Sequence, residues 1–196
     1  EAVMKINPEL VIIIPIFNEE GNITSLLQDW EPVFVQTGIP YRIIVIDDGS
    51  SDQSLALLQA LQAKNSHRAV YAQRNAGHGP AILKGYRMAL DASWIFQIDG
   101  DHQFDTAAFG KLWEKRELYD FLLAERTENN ASLPRRCLSL LSRLTIHLLY
   151  GRQVKDVNSP YRLMQSAPLK QALEKIPPNS FAPNTLLTAW FVGKKK

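Results

Sequence analysis

Ile43-Ile44-Val45-Ile46-Asp47-Asp48-Gly49-Ser50-Ser51-Asp52 joins a run of apolar β-formers to two carboxylates and a turn-forming cluster. The apolar run is continuous rather than alternating, as in a strand covered on both faces. Leu55, Leu58 and Leu61 then recur at helical spacing, and Ser50 or Ser51 is the expected cap of that helix. The same order repeats along the chain. Leu10 to Ile16 predicts a buried strand, with Pro15 at its end, and Ile23, Leu26, Leu27, Trp30, Val33 and Phe34 predict the following helix. Tyr41 to Ile46, Ala69 to Ala72, Trp94 to Ile98 and Phe121 to Ala124 predict further strands, with a helix from about Pro80 to Leu90 between the third and fourth. Such alternation implies an α/β fold with a mostly parallel central sheet and helices on both faces, a three-layer α/β/α sandwich.

Composition narrows the class. The chain has 196 residues, with 45% hydrophobic and 21% charged, ordinary for a single globular domain. The net charge of +2 becomes −1 once Lys194, Lys195 and Lys196 are set aside, so no nucleic-acid-binding surface is expected. A single cysteine, Cys137, excludes an internal disulfide and points to a reducing compartment. No segment reaches the ~18 consecutive apolar residues of a membrane span. The sequence carries no signal for oligomeric state.

Ligands of open parallel sheets sit at the carboxyl ends of strands. The polar clusters of this chain fall there: Pro15 to Asn22, Asp47 to Asp52, Gln73 to Gly79 and Asp99 to Asp105. In Ile95-Phe96-Gln97-Ile98-Asp99-Gly100-Asp101-His102-Gln103, two carboxylates two residues apart leave a buried strand. A strand would point both the same way, toward one cation, and hard oxygen ligands suit Mg²⁺ or Mn²⁺ with substrate phosphates completing the shell. Asp-Gly is also common in solvated turns; the buried strand and the neighbouring clusters favour the metal. Asp47 and Asp48 can accept from a nucleobase N–H or from ribose hydroxyls, while Ser51 and Asp52 fit a capped turn. Phe17 can pack against a base or ribose, and Asn18 and Glu19 either bind ligand or cap the next helix. Asn75-Ala76-Gly77-His78-Gly79-Pro80 is a glycine-rich loop entering a helix, open to close backbone approach; His78 reads as a loop side chain.

Taken together, Pro-x-x-Asn-Glu at Pro15 to Glu19, Asp-Asp-Gly-Ser-x-Asp at Asp47 to Asp52 and Asp-x-Asp at Asp99 to Asp101 resemble glycosyltransferase family 2, over about Leu10 to Val192. The extension to Gln103 is similar to the dolichol-phosphate mannose synthase and polyprenyl-phosphate glycosyltransferase branch. The resemblance implies a GT-A fold, Rossmann-like, and a metal held by Asp99, Asp101 and Gln103. It implies donor-nucleotide contacts from Pro15, Phe17, Glu19, Asp47, Asp48, Gly79, Asp99 and Gly100. Glu125-Arg126 stands where the branch has Ser-Arg, Arg135-Arg136 resembles its acceptor-side basic helix, and Asp156 to Arg162 resembles its Asp-x-x-Ser-Gly-Phe-Arg with Pro160 for the glycine. Arg126, Arg135, Arg136 and Arg162 are therefore expected to clamp phosphates, and Asp101, Arg126, Asp156 and Arg162 to be catalytic. The implied organisation is one catalytic domain: an extension at 1–9, a nucleotide-sugar-binding half at 10–125 and an acceptor-side half at 126–196 that many relatives continue into hydrophobic helices.

The implied reaction is inverting transfer from a nucleotide-sugar. A hydroxyl acceptor needs a general base. No Asp or Glu lies from Lys175 to Lys196, whereas an acceptor phosphate is already anionic. Both this and the arginines favour a polyprenyl (dolichyl or undecaprenyl) phosphate at the cytoplasmic face of a membrane. Rival readings are a family 2 enzyme acting on a glycan hydroxyl, and a domain of this kind that binds nucleotide or glycan without turnover. A sugar-1-phosphate nucleotidyltransferase is disfavoured, because Pro-Ile-Phe-Asn-Glu lacks the glycine-rich basic loop that such an enzyme places after its first strand.

Overall fold

The computed structural model describes residues 8–101, 105–124 and 156–194. Among these, the strands are β1 Leu10–Ile16, β2 Tyr41–Asp47, β3 Arg68–Ala72, β4 Trp94–Gln97, β5 Phe121–Leu123 and β6 Arg162–Gln165. The helices are α1 Ile23–Val35, α2 Ser54–Ala63, α3 His78–Met88, α4 Ala107–Glu114, α5 Ser166–Leu173 and α6 Pro183–Lys194. One sheet runs in the order β3-β2-β1-β4-β6-β5. β1 pairs in parallel with β2 and β4, β2 pairs in parallel with β3, and β6 runs antiparallel to both its neighbours. β6, from the half expected to face the acceptor, lies between β4 and β5 in the same sheet.

Each face of the sheet carries a helical layer. On one side α1, α2 and α4 cover Ile12, Ile14, Ile43, Val45 and Phe96. On the other, α3, α5 and α6 cover Val11, Ile13, Ile44, Ile46 and Ile95. The alternation of odd and even β1 residues between the two clusters is the period of a strand. This makes β1 buried along its whole length. The expected three-layer α/β/α sandwich is the observed one.

Several local expectations change. β1 does not end at Pro15: Pro15 pairs with Ile46 and Ile16 with Asp47. Proline is tolerated because residues of its parity face β4, where Ile13 accepts from the Ile98 N–H and the ladder has ended at Gln97. Glu9 is not a loose extension, since its N–H donates to Pro40 O and its carbonyl accepts from Trp94 N, each at 2.8 Å. β6, α4 and α6 were not expected. Arg162-Leu163-Met164-Gln165 has charged and polar ends and only two apolar residues, so its pattern does not announce a strand. Neither Ser50 nor Ser51 caps α2, which begins at Ser54 with no side-chain cap.

Those residues instead join the strand-end loops. Asn18, at a φ of 54°, donates its N–H to Ser50 Oγ at 3.0 Å and accepts from Ser51 N at 2.8 Å. Glu19 N donates to Ser54 Oγ at 2.8 Å, and Glu20 exchanges with Asp52 and Gln53. The β1 and β2 exits are thus laced together. The β2 and β3 exits are joined by Asp48, whose Oδ1 accepts from Gln73 Nε2 at 2.6 Å and Ala76 N at 2.9 Å and whose Oδ2 accepts from Gly77 N at 2.8 Å. Gly49, at a φ of 76°, lets this approach happen: a Cβ there would lie 2.7 Å from Asn75 N.

Two outcomes test this frame. Trp30 is buried between Phe34, Phe96 and Tyr161, with ring centroids 5.6, 5.7 and 5.6 Å away. Trp30→Ala is expected to cost about 3–5 kcal/mol in denaturant unfolding. Asp48→Asn turns one acceptor into an N–H₂ group facing backbone N–H donors; it should cost about 1–3 kcal/mol. Hydrogen exchange at Ala76 and Gly77 should accelerate in that variant, and unchanged protection there would show that Asp48 is not the clamp.

Candidate active site at the strand ends

The parallel register places the carboxyl ends of β1 to β4 along one edge. Ile16 pairs with Asp47, Asp47 with Ala72, and Ile13 with Gln97. The four polar clusters therefore converge as the alternation implied. Gly100 is buried against β1: a Cβ there would lie 2.4 Å from Ile16 Cδ1 and 3.4 Å from both Glu19 Cγ and Pro15 O. That contact brings the Asp99–Asp101 turn onto the Pro15 to Glu19 exit. β4 has ended by then, so a turn rather than strand alternation directs these two carboxylates.

The carboxylates are not equivalent. Asp47 is 1% exposed; its Oδ2 accepts from Gly49 N and Ser50 N at 3.3 Å each, while Oδ1 is buried without a hydrogen-bond partner among the described residues. Asp48 is equally buried but occupied by the three donors of the glycine-rich loop, so it acts here as a tie. Glu19 is half-buried and its Oε2 accepts from Asn22 Nδ2 at 2.7 Å. Phe17 is 47% exposed, an open ring at the site's rim. Asp99 Oδ1 lies 3.5 Å from His78 Nε2 and 3.4 Å from Gln97 Nε2. Asp101 Oδ1 is buried without a partner among the described residues.

His78 thus belongs to the site, although its sequence context suggested only a loop residue. Tyr86 and Gln97 were also missed. Burial, with the Asp99 charge adding to it, pushes the Tyr86 hydroxyl far above the ordinary tyrosine range. Tyr86 therefore stays protonated and donates to Gln97 Oε1. A polar residue inside the apolar run Ile95-Phe96-Gln97-Ile98 was the available signal. Gly79 has a packing explanation: a Cβ there would lie 2.2 Å from Ser180 O and 2.8 Å from Phe181 O.

Arg162 differs most from expectation. It is fully buried rather than open to an acceptor phosphate. Its Nε donates to Ser159 O at 2.9 Å, one terminal nitrogen also reaches Ser159 O, and the other donates to Asn184 O at 3.0 Å. Burial lowers its pKa, opposed by Tyr86 and by the charges of Asp156 and Asp99. Arg162 is thus an interior cation that ties the turn before β6 to α6 and counters the site's carboxylates. Asp156 is half-buried at that turn. Gln103, Arg126, Cys137 and the acceptor-side basic helix expected at Arg135-Arg136 lie outside the described residues.

The residues present fit a divalent cation. No group of three His, Cys, Asp or Glu side chains is clustered for metal among the described residues. Mg²⁺-type sites, however, are commonly held by one or two carboxylates plus substrate phosphates. The buried Asp101 Oδ1, without a partner among the described residues, is an oxygen of the kind an ion satisfies.

Comparison with known proteins agrees. The undecaprenyl-phosphate 4-deoxy-4-formamido-L-arabinose transferase of Pseudomonas aeruginosa is 31% identical over 148 residues, which are 74% of this chain and 43% of that protein. This chain therefore spans less than half of that relative's length. Among solved structures, S. aureus TarS residues 1–349 superposes with a TM-score of 0.64 at 20% identity, over 93% of this chain and 55% of that one. Glucosyl-3-phosphoglycerate synthase from Mycobacterium tuberculosis, in complex with Mn²⁺, UDP-glucose and phosphoglyceric acid, superposes at 0.60 with 18% identity, over 83% and 58% of the two chains. These likenesses establish the GT-A fold. The model of the family described as glycosyl transferase family 2 matches residues 11–172, and to that family this chain belongs.

Proposed function

We propose that this chain is the donor-binding and catalytic part of a metal-assisted inverting glycosyltransferase that moves a sugar from a nucleotide-sugar to a polyprenyl phosphate. The observation that carries the proposal is the buried carboxylate oxygen of Asp101, without a hydrogen-bond partner among the described residues, in a turn packed on the β1 exit, together with Asp47 Oδ1 at the end of β2, which likewise has none among them. Two such oxygens at one strand-end edge suit a cation and a nucleotide better than a solvated turn, which would leave neither buried. Asp99, Asp101 and Gln103 are assigned to Mg²⁺ or Mn²⁺. When bound, the cation would neutralise charge on the departing diphosphate.

The chain's own residues supply the rest. Asp47 Oδ1 accepts from the base or a ribose hydroxyl, and Phe17 offers its ring to the same moiety. Pro15, Glu19 and Gly100 shape the floor beneath the donor. Asp48 serves the nucleotide indirectly, by fixing the loop from Gln73 to Gly77. The acceptor oxygen forms a bond to the anomeric carbon as the bond to the diphosphate oxygen breaks, and the electron pair leaves with the nucleoside diphosphate. An acceptor phosphate reacts without surrendering a proton, in keeping with the carboxylate-free stretch from Lys175 to Lys196. Arg126, Arg135 and Arg136 remain the proposed phosphate ligands, and Asp156 a proposed catalytic residue. The undecaprenyl-phosphate transferase relative supports this acceptor class. No helix among the described residues is long and apolar enough to cross a membrane. The cytoplasmic membrane surface remains the proposed place of the acceptor headgroup.

Titration with UDP-, GDP- and dTDP-sugars, with and without Mn²⁺, tests the proposal. One sugar nucleotide should bind in a Mn²⁺-dependent way, and Asp101→Asn should weaken that binding more than about tenfold. Vesicles containing polyprenyl phosphate should then yield glycosylated lipid. Binding without Mn²⁺ dependence would overturn the assignment of the aspartates. Metal-dependent binding without product would point to the non-catalytic binding module.

A further inference from the structure

We infer that Gln97 is a positioning residue that sets the orientation of the Asp99 carboxylate, and that Tyr86 fixes Gln97 in turn. The inference rests on the donor and metal site proposed above and names the residues behind it. Gln97 is the last residue of β4 and is fully buried. It shares the parity of Ile95, so its side chain enters the layer that holds α3, and there it meets Tyr86.

A buried amide can face either way, and its neighbours decide which. Here the decision is unambiguous. The Asp99 carboxylate can only accept, so the amide N–H₂ must face it, and the amide oxygen on the other side receives the Tyr86 hydroxyl. Nε2 lies 3.4 Å from Asp99 Oδ1. His78 Nε2 approaches the same oxygen from the glycine-rich loop, at 3.5 Å. Asp99 is thus gripped on one oxygen from two directions, by a strand and by a loop.

The grip ties the metal turn to the helix beneath the nucleotide loop. α3 begins at His78 and carries Tyr86 two turns later on the face against the sheet. Asp48 holds the preceding Gly77, and Tyr86 reaches Asp99 through Gln97. Carboxylates that ligate metals are commonly oriented by such outer hydrogen bonds. A role in packing alone would need only matching volume at Gln97, and Met would supply it.

Mn²⁺ affinity, read from the electron paramagnetic resonance of free Mn²⁺, tests this with UDP or GDP present, whichever the wild-type chain binds. Gln97→Met should weaken Mn²⁺ about 10–100-fold and Tyr86→Phe about 3–10-fold. The double variant should be no weaker than Gln97→Met alone, because both act through one amide. Wild-type Mn²⁺ affinity in both single variants, with only a lowered thermal midpoint, would overturn the inference. If Gln97→Met does not fold, Tyr86→Phe decides by itself. Wild-type protein that binds no Mn²⁺ with nucleotide would overturn this inference together with the proposed function. Wild-type binding that Asp101→Asn disrupts and these variants leave intact would overturn this inference alone.

Discussion

Burial of β1 on both faces and along both edges constrains everything else in the molecule. Leu10 to Ile14 expose no surface, and β2 and β4 flank the strand in parallel. Parallel strands need crossovers, which α1, α2 and α3 supply, and the helices cover the sheet with α1, α2 and α4 on one face and α3, α5 and α6 on the other. The same arrangement leaves four strand exits at one edge. A carboxylate after β2 and another after β4 become neighbours of the β1 exit because the parallel strands leave at the same edge of the sheet, although about fifty residues separate them in the chain.

Such an edge gathers negative charge. Asp47 and Asp48 are buried, Asp99 is largely so, and Asp101 hides one oxygen. Burying carboxylates is costly unless each is hydrogen-bonded or paired. The chain answers differently at each. Asp48 receives three donors, Asp99 is gripped by Gln97 and His78, and the fully buried Arg162 supplies positive charge nearby. Asp47 Oδ1 and Asp101 Oδ1 are left without donors among the described residues. Asp48 is thus taken up in building the site, whereas Asp47 and Asp101 each keep an oxygen for a ligand.

Arg162 shows why motif position and physical role can part. Its place in Asp-x-x-Ser-Pro-Tyr-Arg suggested an anion clamp. β6 turns the side chain inward, between the Ser159 turn and α6, where backbone carbonyls take its hydrogen bonds. Arginine keeps its charge even when buried, so the residue still acts on the site through its field. The Ser159 hydroxyl completes this corner by donating to Ala124 O, which fastens the turn to the end of β5.

The sequence by itself determined the class of fold, the positions of β1 to β5 and the first three helices, and the four polar clusters at the strand exits. Those features depend on local periodicity and on apolar runs, which a chain displays without folding. It also carried the family motifs at Pro15 to Glu19, Asp47 to Asp52 and Asp99 to Asp101. Only the tertiary structure decided that β6 runs backward between β4 and β5, that Ser50, Ser51 and Ser54 lace loops instead of capping a helix, and that Arg162 lies inside. It alone joined Tyr86, Gln97, His78 and Asp99. Each of these depends on which side chain meets which across the sheet, and hydrogen-bond partners from different strands leave no periodic trace in sequence.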